Sequence, residues 1–195
     1  MPRLTERLEL GRCPHCSVDT PDLRPVWNGE TRTHANDRLR RWRVYACARC
    51  GGLVTAAAND YNADVLEVYP APPRVDEDLP PRAKAFLEQA TASVHAPAGA
   101  VMLAASAVDA MLKAKGYTEG SLYARIDKAV ADHLITADMG KWAHEVRLDA
   151  NEKRHAADEA KLPDQNDARR AIEFTAALGT LLFVLPARVR RGLTK

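Results

Sequence analysis

Cys13-Pro14-His15-Cys16 and Cys47-Ala48-Arg49-Cys50-Gly51-Gly52 decide how the first third of this chain folds. The two Cys-x-x-Cys pairs stand 30 residues apart and use all 4 cysteines. Such a turn places two thiolates on one side of a metal, and zinc takes four soft ligands in a tetrahedron. Two of these turns on hairpin tips build a zinc ribbon. The predicted ligands are therefore Cys13, Cys16, Cys47 and Cys50, with zinc as the cofactor. Gly51 and Gly52 let the backbone turn tightly beneath the sulfurs. His15 and His34 are also ligand types, but four thiolates already fill the shell. A redox dithiol fits less well, because it usually stands alone beside a βαβ pattern that is missing here. Paired thiols of this kind suit metal binding in a reducing compartment rather than a disulfide framework.

The flanks of the two pairs read as short strands: Val26-Trp27, Trp42 to Ala46, Leu53 to Ala56, and Val65 to Tyr69. Asn28-Gly29 and Asn36-Asp37 supply turn chemistry between them. Residues 1–12 read as a lead-in too short to stand alone. The net charge of +2 demands no nucleic-acid partner, but its distribution is uneven. Residues 1–58 hold 10 Arg and no Lys against 6 acidic residues, while the remainder is slightly acidic. Arg38, Arg40, Arg41 and Arg43 surround Trp42. They can track phosphates with one stacking ring. Equally they can be a solvated strand with Trp42 packed on the ribbon core.

Residues 70–81, PAPPRVDEDLPP, form a semi-rigid linker. The domain reading is thus ribbon over 1–69, linker over 70–81 and an all-α bundle over 82–195. The predicted helices cover about Pro81 to Val94, Ala98 to Lys115, Ser121 to His133, a fourth from Thr136, and a fifth from Asn166 or Asp167 to Pro186. Each carries apolar residues at helical spacing. The fifth is apolar nearly all round and reads as the central helix or an oligomer contact. The fold class is α+β: a small N-terminal β zinc ribbon followed by an all-α bundle of about five helices. No apolar run approaches the ~20 residues of a membrane span. MPRLTERLELGR carries no apolar signal core. The expectation is a cytoplasmic protein with no membrane partner.

On the fourth helix, Arg147, Asn151 and His155 fall at i, i+4 and i+8 and share one face. Imidazole titrates near neutral pH and can move a proton, and a guanidinium can clamp a phosphate. Asn151 can orient either. Eight residues of rise separate the two Cα atoms by roughly 12 Å, too far for one phosphate. Antiparallel copies of this helix in a dimer bring each His to the partner's Arg. Three readings stand: a catalytic row, a non-catalytic contact to nucleic acid or another ligand, or a structural network with Arg147 paired to Asp109, Glu145 or Asp149. No GxSxG, GxxxxGK[ST], HExxH or GxGxxG occurs, and no thiol remains outside the ribbon.

Tyr69-Pro70, Leu79-Pro80, Val108-Asp109 and the Arg147, Asn151, His155 row together resemble the bacterial domain-of-unknown-function family 4145, over about residues 79–188. Members often carry an N-terminal zinc ribbon. The family is grouped with the HEPN superfamily of small helical bundles, usually dimers. Several of these are metal-independent RNases of toxin–antitoxin and phage-defence systems, with an Arg-x4–6-His signature. Here seven residues separate Arg147 from His155. The resemblance implies a homodimer that acts on or binds nucleic acid, RNA above all, as an endoribonuclease centred on that row. The alternative is a non-catalytic nucleic-acid or protein-binding adaptor whose bundle only dimerises.

Overall fold

Strand β2 (Leu39–Cys47) alternates between a buried and a half-buried face, and this alternation sets the first unit's core. Arg43, Tyr45 and Cys47 point inward, whereas Trp42, Val44 and Ala46 lie on the opposite face. The computed structural model describes residues 2–71, 74–152 and 162–194, with side chains in the fourth helix described through Val146. The chain divides into two compact units, Met1–Pro73 and Arg74–Lys195.

In the first unit, β1 (Leu23–Arg32), β2, β3 (Leu53–Ala58) and β4 (Glu67–Tyr69) form one antiparallel sheet in sequential order. The core contains Leu4, Leu8, Leu23, Tyr45, Val54, Ala56 and Ala58 with the thiols Cys13 and Cys47. Tyr45 is fully buried and its hydroxyl donates to the Thr5 carbonyl at 2.7 Å. Burial pushes that phenol up to about 12.

Three local expectations change here. Residues 2–12 are not a loose lead-in: Leu4 and Leu8 are buried, and the Leu4 N–H donates to Ala63 O at 2.9 Å. Asn28-Gly29 does not turn the chain but lies within β1, opposite Arg43 and Trp42. The turn comes at Thr33–Arg38, where Asn36 adopts φ +57°. A two-residue turn signal is outweighed by nine paired positions along the whole hairpin. Trp42 does not join the core, because the strand period sends it outward; its Nε1–H donates to Thr31 Oγ1 at 2.7 Å.

The second unit is helical: α1 (Pro81–Ala92), α2 (Pro97–Ala114), α3 (Leu122–Ala131), α4 (Ala137–Glu152), α5 (Gln165–Gly179) and α6 (Leu185–Leu193). A π-helical turn, Thr180–Val184, joins α5 to α6 without a break, so the described helices number five bodies. Pro81 and Pro97 sit in the first turns of their helices, where a missing N–H costs nothing. Ser121 caps α3 by accepting from Ala124 N, and Asp164 and Asp167 form a reciprocal capping box on α5. Gly116, at φ +96°, stops the chain just beyond α2.

Helix α2, rather than the last helix, is central. It buries Ala100, Val101, Ala104, Ala105, Ala107, Val108, Met111 and Leu112, and packs against α1, α3, α4 and α5. Its alanines let neighbouring backbones come close. The last helix instead leaves Leu181, Leu185, Val189 and Leu193 exposed. Pro186 does not end it either. Proline lacks an N–H and crowds the carbonyl four residues back, and a π-turn immediately before it shifts the bonding register to i−5, as in Leu185 N–H to Thr180 O. By length and composition alone, Pro97–Ala114 and Gln165–Leu193 are long and apolar enough to cross a bilayer, a test that the core helices of a folded domain pass as well. Both helices also supply buried residues to the core of this unit.

Candidate functional site

The two cysteine turns are built alike. In the first, the Cys13 N–H donates to Val18 O and the Ser17 N–H to Cys13 O, both at 3.0 Å. In the second, the Cys47 N–H donates to Gly52 O at 3.0 Å and the Gly51 N–H to Cys47 O at 2.8 Å. The residue after each pair's second cysteine is left-handed: Ser17 at φ 57° and Gly51 at φ 71°. Backbone N–H groups also point at sulfur, from His15 to Cys13 Sγ at 3.5 Å and from Gly52 to Cys50 Sγ at 3.4 Å.

The sheet brings the turns together, because Cys47 ends β2 and pairs across to Leu23 near the first turn. The four sulfurs lie within 4.8 Å of one another, and all four cysteines are free thiols. Cys13 Sγ and Cys50 Sγ are 3.9 Å apart. Ligands at 2.3 Å in a tetrahedron stand about 3.8 Å apart, so the spacing suits a metal and not a disulfide. The group can hold a metal ion.

Charge points the same way. Burial opposes ionisation of Cys47, but the N–H groups of Cys50 and Arg49 and the neighbouring sulfurs outweigh it and hold the thiol down at about 7. Burial pushes the Cys13 thiol up. At Cys50 the Gly52 N–H favours the thiolate, yet burial and the three other sulfurs drive it up to about 12. One thiolate in the cluster thus discourages the next. A divalent cation removes that conflict, so the donor set fits zinc.

His15 does not reach toward the sulfurs as a ligand. Its Nε2 lies 2.7 Å from Leu53 O and its ring lies against Gly52. The two glycines therefore have separate reasons. Gly51 serves the left-handed turn, while a Cβ on Gly52 would stand 2.5 Å from the His15 ring. Gly52→Ala is expected to destabilise the sheet unit by about 1–3 kcal/mol through overpacking. Chemical denaturation followed by Trp fluorescence checks this, and a loss below about 0.5 kcal/mol would show that His15 moves aside freely.

The four arginines around Trp42 do not form one stripe. Arg41 and Arg43 share the inward face of β2, and Arg40 shares Trp42's face by strand alternation. Arg40 is paired with Glu67, and Arg41 with Glu30 and, at 3.7 Å, Asp60. Arg43 is buried, 2.5 Å from Glu6, and stacks over Tyr61 at 4.9 Å from the ring centroid. Arg38 lies in the turn before β2, exposed, with no carboxylate in ion-pair range among the described residues.

Arg147 and Asn151 lie on α4, one turn apart. Their side chains and the whole of His155 lie outside the described residues. Two carboxylates offered as partners for Arg147 are engaged elsewhere. Asp109 meets Arg125 at 2.5 Å and Lys113 at 2.6 Å, and Glu145 lies 3.7 Å from Arg170.

Some polar groups carry no signal in the linear sequence. His144 reads as surface, yet its Nε2 lies 2.9 Å from Asp127 and its ring sits 4.7 Å from that of Tyr123. The Arg125–Asp109 pair spans α3 and α2, and only folding reveals it; the i, i+4 spacing of Asp109 and Lys113 was the one available hint.

No curated protein and no solved structure matches this chain. A family model does, over residues 88–195, more than half of the sequence. On that match the chain belongs to the family described as Domain of unknown function (DUF4145).

Proposed function

We propose that Cys13, Cys16, Cys47 and Cys50 hold one zinc ion, which makes the sheet unit a zinc ribbon, and that the chain acts on or binds nucleic acid through a HEPN-like bundle. The observation that carries the metal reading is the cluster of four free thiols within 4.8 Å. Zinc there neutralises the thiolates and cross-links the two turns. Four protein ligands leave no open position, so the ion is structural and takes no part in a reaction. Reduced thiols as ligands suit a cytoplasmic protein.

For the bundle, the favoured reading is a metal-independent endoribonuclease of a defence or toxin–antitoxin type system. Its support is the DUF4145 match together with the side-chain types of Arg147, Asn151 and His155. Arg147 holds the phosphate, His155 moves the proton and Asn151 orients one of them. The roughly 12 Å rise between Arg147 and His155 requires a homodimer with α4 at its interface. The row is favoured over the ribbon arginines because Arg40, Arg41 and Arg43 already face carboxylates.

The test is cleavage of a labelled RNA by the zinc-loaded protein with EDTA in the assay, and zinc content measured afterwards. Wild type should cleave, and His155→Ala should lose at least about a hundredfold in rate while still binding RNA. Equal rates in both proteins sink the assignment. RNA binding without cleavage in either would move the chain to the adaptor reading.

A further inference from the structure

A cleft of about 930 Å³ opens between α1, α2 and the start of α3, within the size range of small-molecule sites. No residue of α4 lines it. Its floor is the small-residue face of α2, including Ala105 and Ala110, and its walls include Phe86 on α1 and Tyr123 on α3.

Its charge is unbalanced. The lining includes the cations Arg82, Lys113 and Arg125 but a single carboxylate, Asp109. Asp109 is shared between Arg125 and Lys113, which leaves an excess of two positive charges. Arg82 lies over the Phe86 ring at 5.8 Å and has no carboxylate in ion-pair range among the described residues. Arg125 is held rigidly: its terminal nitrogens donate to Asp109, to Thr118 O at 3.1 Å and to Gly120 O at 2.6 Å. Its Nε is buried and has no hydrogen-bond partner. That nitrogen is closed to solvent, so Arg125 contributes to the cleft through the charge of its guanidinium.

We propose that this cleft binds a small organic phosphate, its dianionic head met by Arg82, Lys113 and Arg125 and its flat apolar body lying against Phe86 and Tyr123. Two surplus cations match the charge of a phosphomonoester better than that of a carboxylate. Aromatic walls and an alanine floor favour a planar group over a bare ion. The proposal is independent of the α4 row, so loss of RNA cleavage and loss of this binding report on different sites.

Calorimetric titration of the full-length protein with phenyl phosphate tests it, with inorganic phosphate, benzoate and phenol as separate arms. Phenyl phosphate should bind at one site per chain and at least about tenfold more tightly than each control, or about 1.4 kcal/mol. Arg82→Ala and Lys113→Ala should each weaken it by about fivefold or more and leave the helical circular-dichroism signal unchanged, since both side chains reach solvent. Ala110→Phe, which fills the cleft, should abolish it. The proposal is overturned if phenyl phosphate shows no saturable binding up to about 10 mM. It is equally overturned if benzoate or inorganic phosphate binds as tightly, or if neither charge substitution changes the affinity.

Discussion

Cys47→Ser is expected to release the metal and unfold the sheet unit while the helical unit keeps its fold. Cys47 is 2% exposed and closes β2 against the first cysteine turn. A hydroxyl in its place removes one of four thiolates, and structural zinc in small domains contributes on the order of 10 kcal/mol. The unit has little else to rely on. Its buried core holds two alanines and two of the cysteines themselves among nine side chains. Domains this small seldom fold on apolar burial alone. The helical unit has a separate core and should keep its helical signal. Acid should act in the same direction. Zinc binds thiolates, so protons compete with the metal for the four sulfurs and falling pH releases it. Metal analysis and amide exchange on Cys47→Ser check this together. A full zinc complement with unchanged protection in β2 and β3 would contradict it.

Phe174→Ala should cost the helical unit about 3–5 kcal/mol, enough to leave it partly unfolded at ordinary temperature. Phe174 is fully buried on α5, and its ring centroid lies 5.0 Å from that of Trp142 on α4. The core cluster it belongs to is rich in alanine, including Ala100, Ala104, Ala105 and Ala107 of α2, and such side chains are too short to close the hole. Denaturation followed by Trp fluorescence reads the loss and the changed environment of Trp142. A cost below about 1 kcal/mol would mean that α4 collapses onto α5 without strain.

How far these features were legible in the sequence depended on how local their causes are. The clustering of the four cysteines was legible because each Cys-x-x-Cys turn carries its own geometry, and only the distance between the turns had to be supplied by the sheet. Helix starts were legible at Pro81 and Ser121, where the signal acts within one turn; the second and fifth helices were read from Ala98 and from Asn166 or Asp167 and begin slightly earlier, at Pro97 and Gln165. Asn28-Gly29 misled because a turn signal competes with the pairing of the whole hairpin. Pro186 misled because a π-turn five residues long absorbs what a proline does to an ordinary helix. The central helix was misjudged from apolar content alone. Burial follows which face meets neighbours, and the alanine-rich α2 meets four of them. The charge pairs of Arg125 with Asp109 and of Arg40 with Glu67 join residues far apart in sequence, and no spacing rule could have shown them.

X-ray absorption at the zinc K-edge on the full-length protein tests the central claim most directly. Four sulfur neighbours at about 2.3 Å, with no nitrogen or oxygen in the shell, is the result predicted by a ribbon closed through Cys13, Cys16, Cys47 and Cys50. A shell containing imidazole nitrogen or water, or protein purified under reducing conditions without stoichiometric zinc, would contradict it.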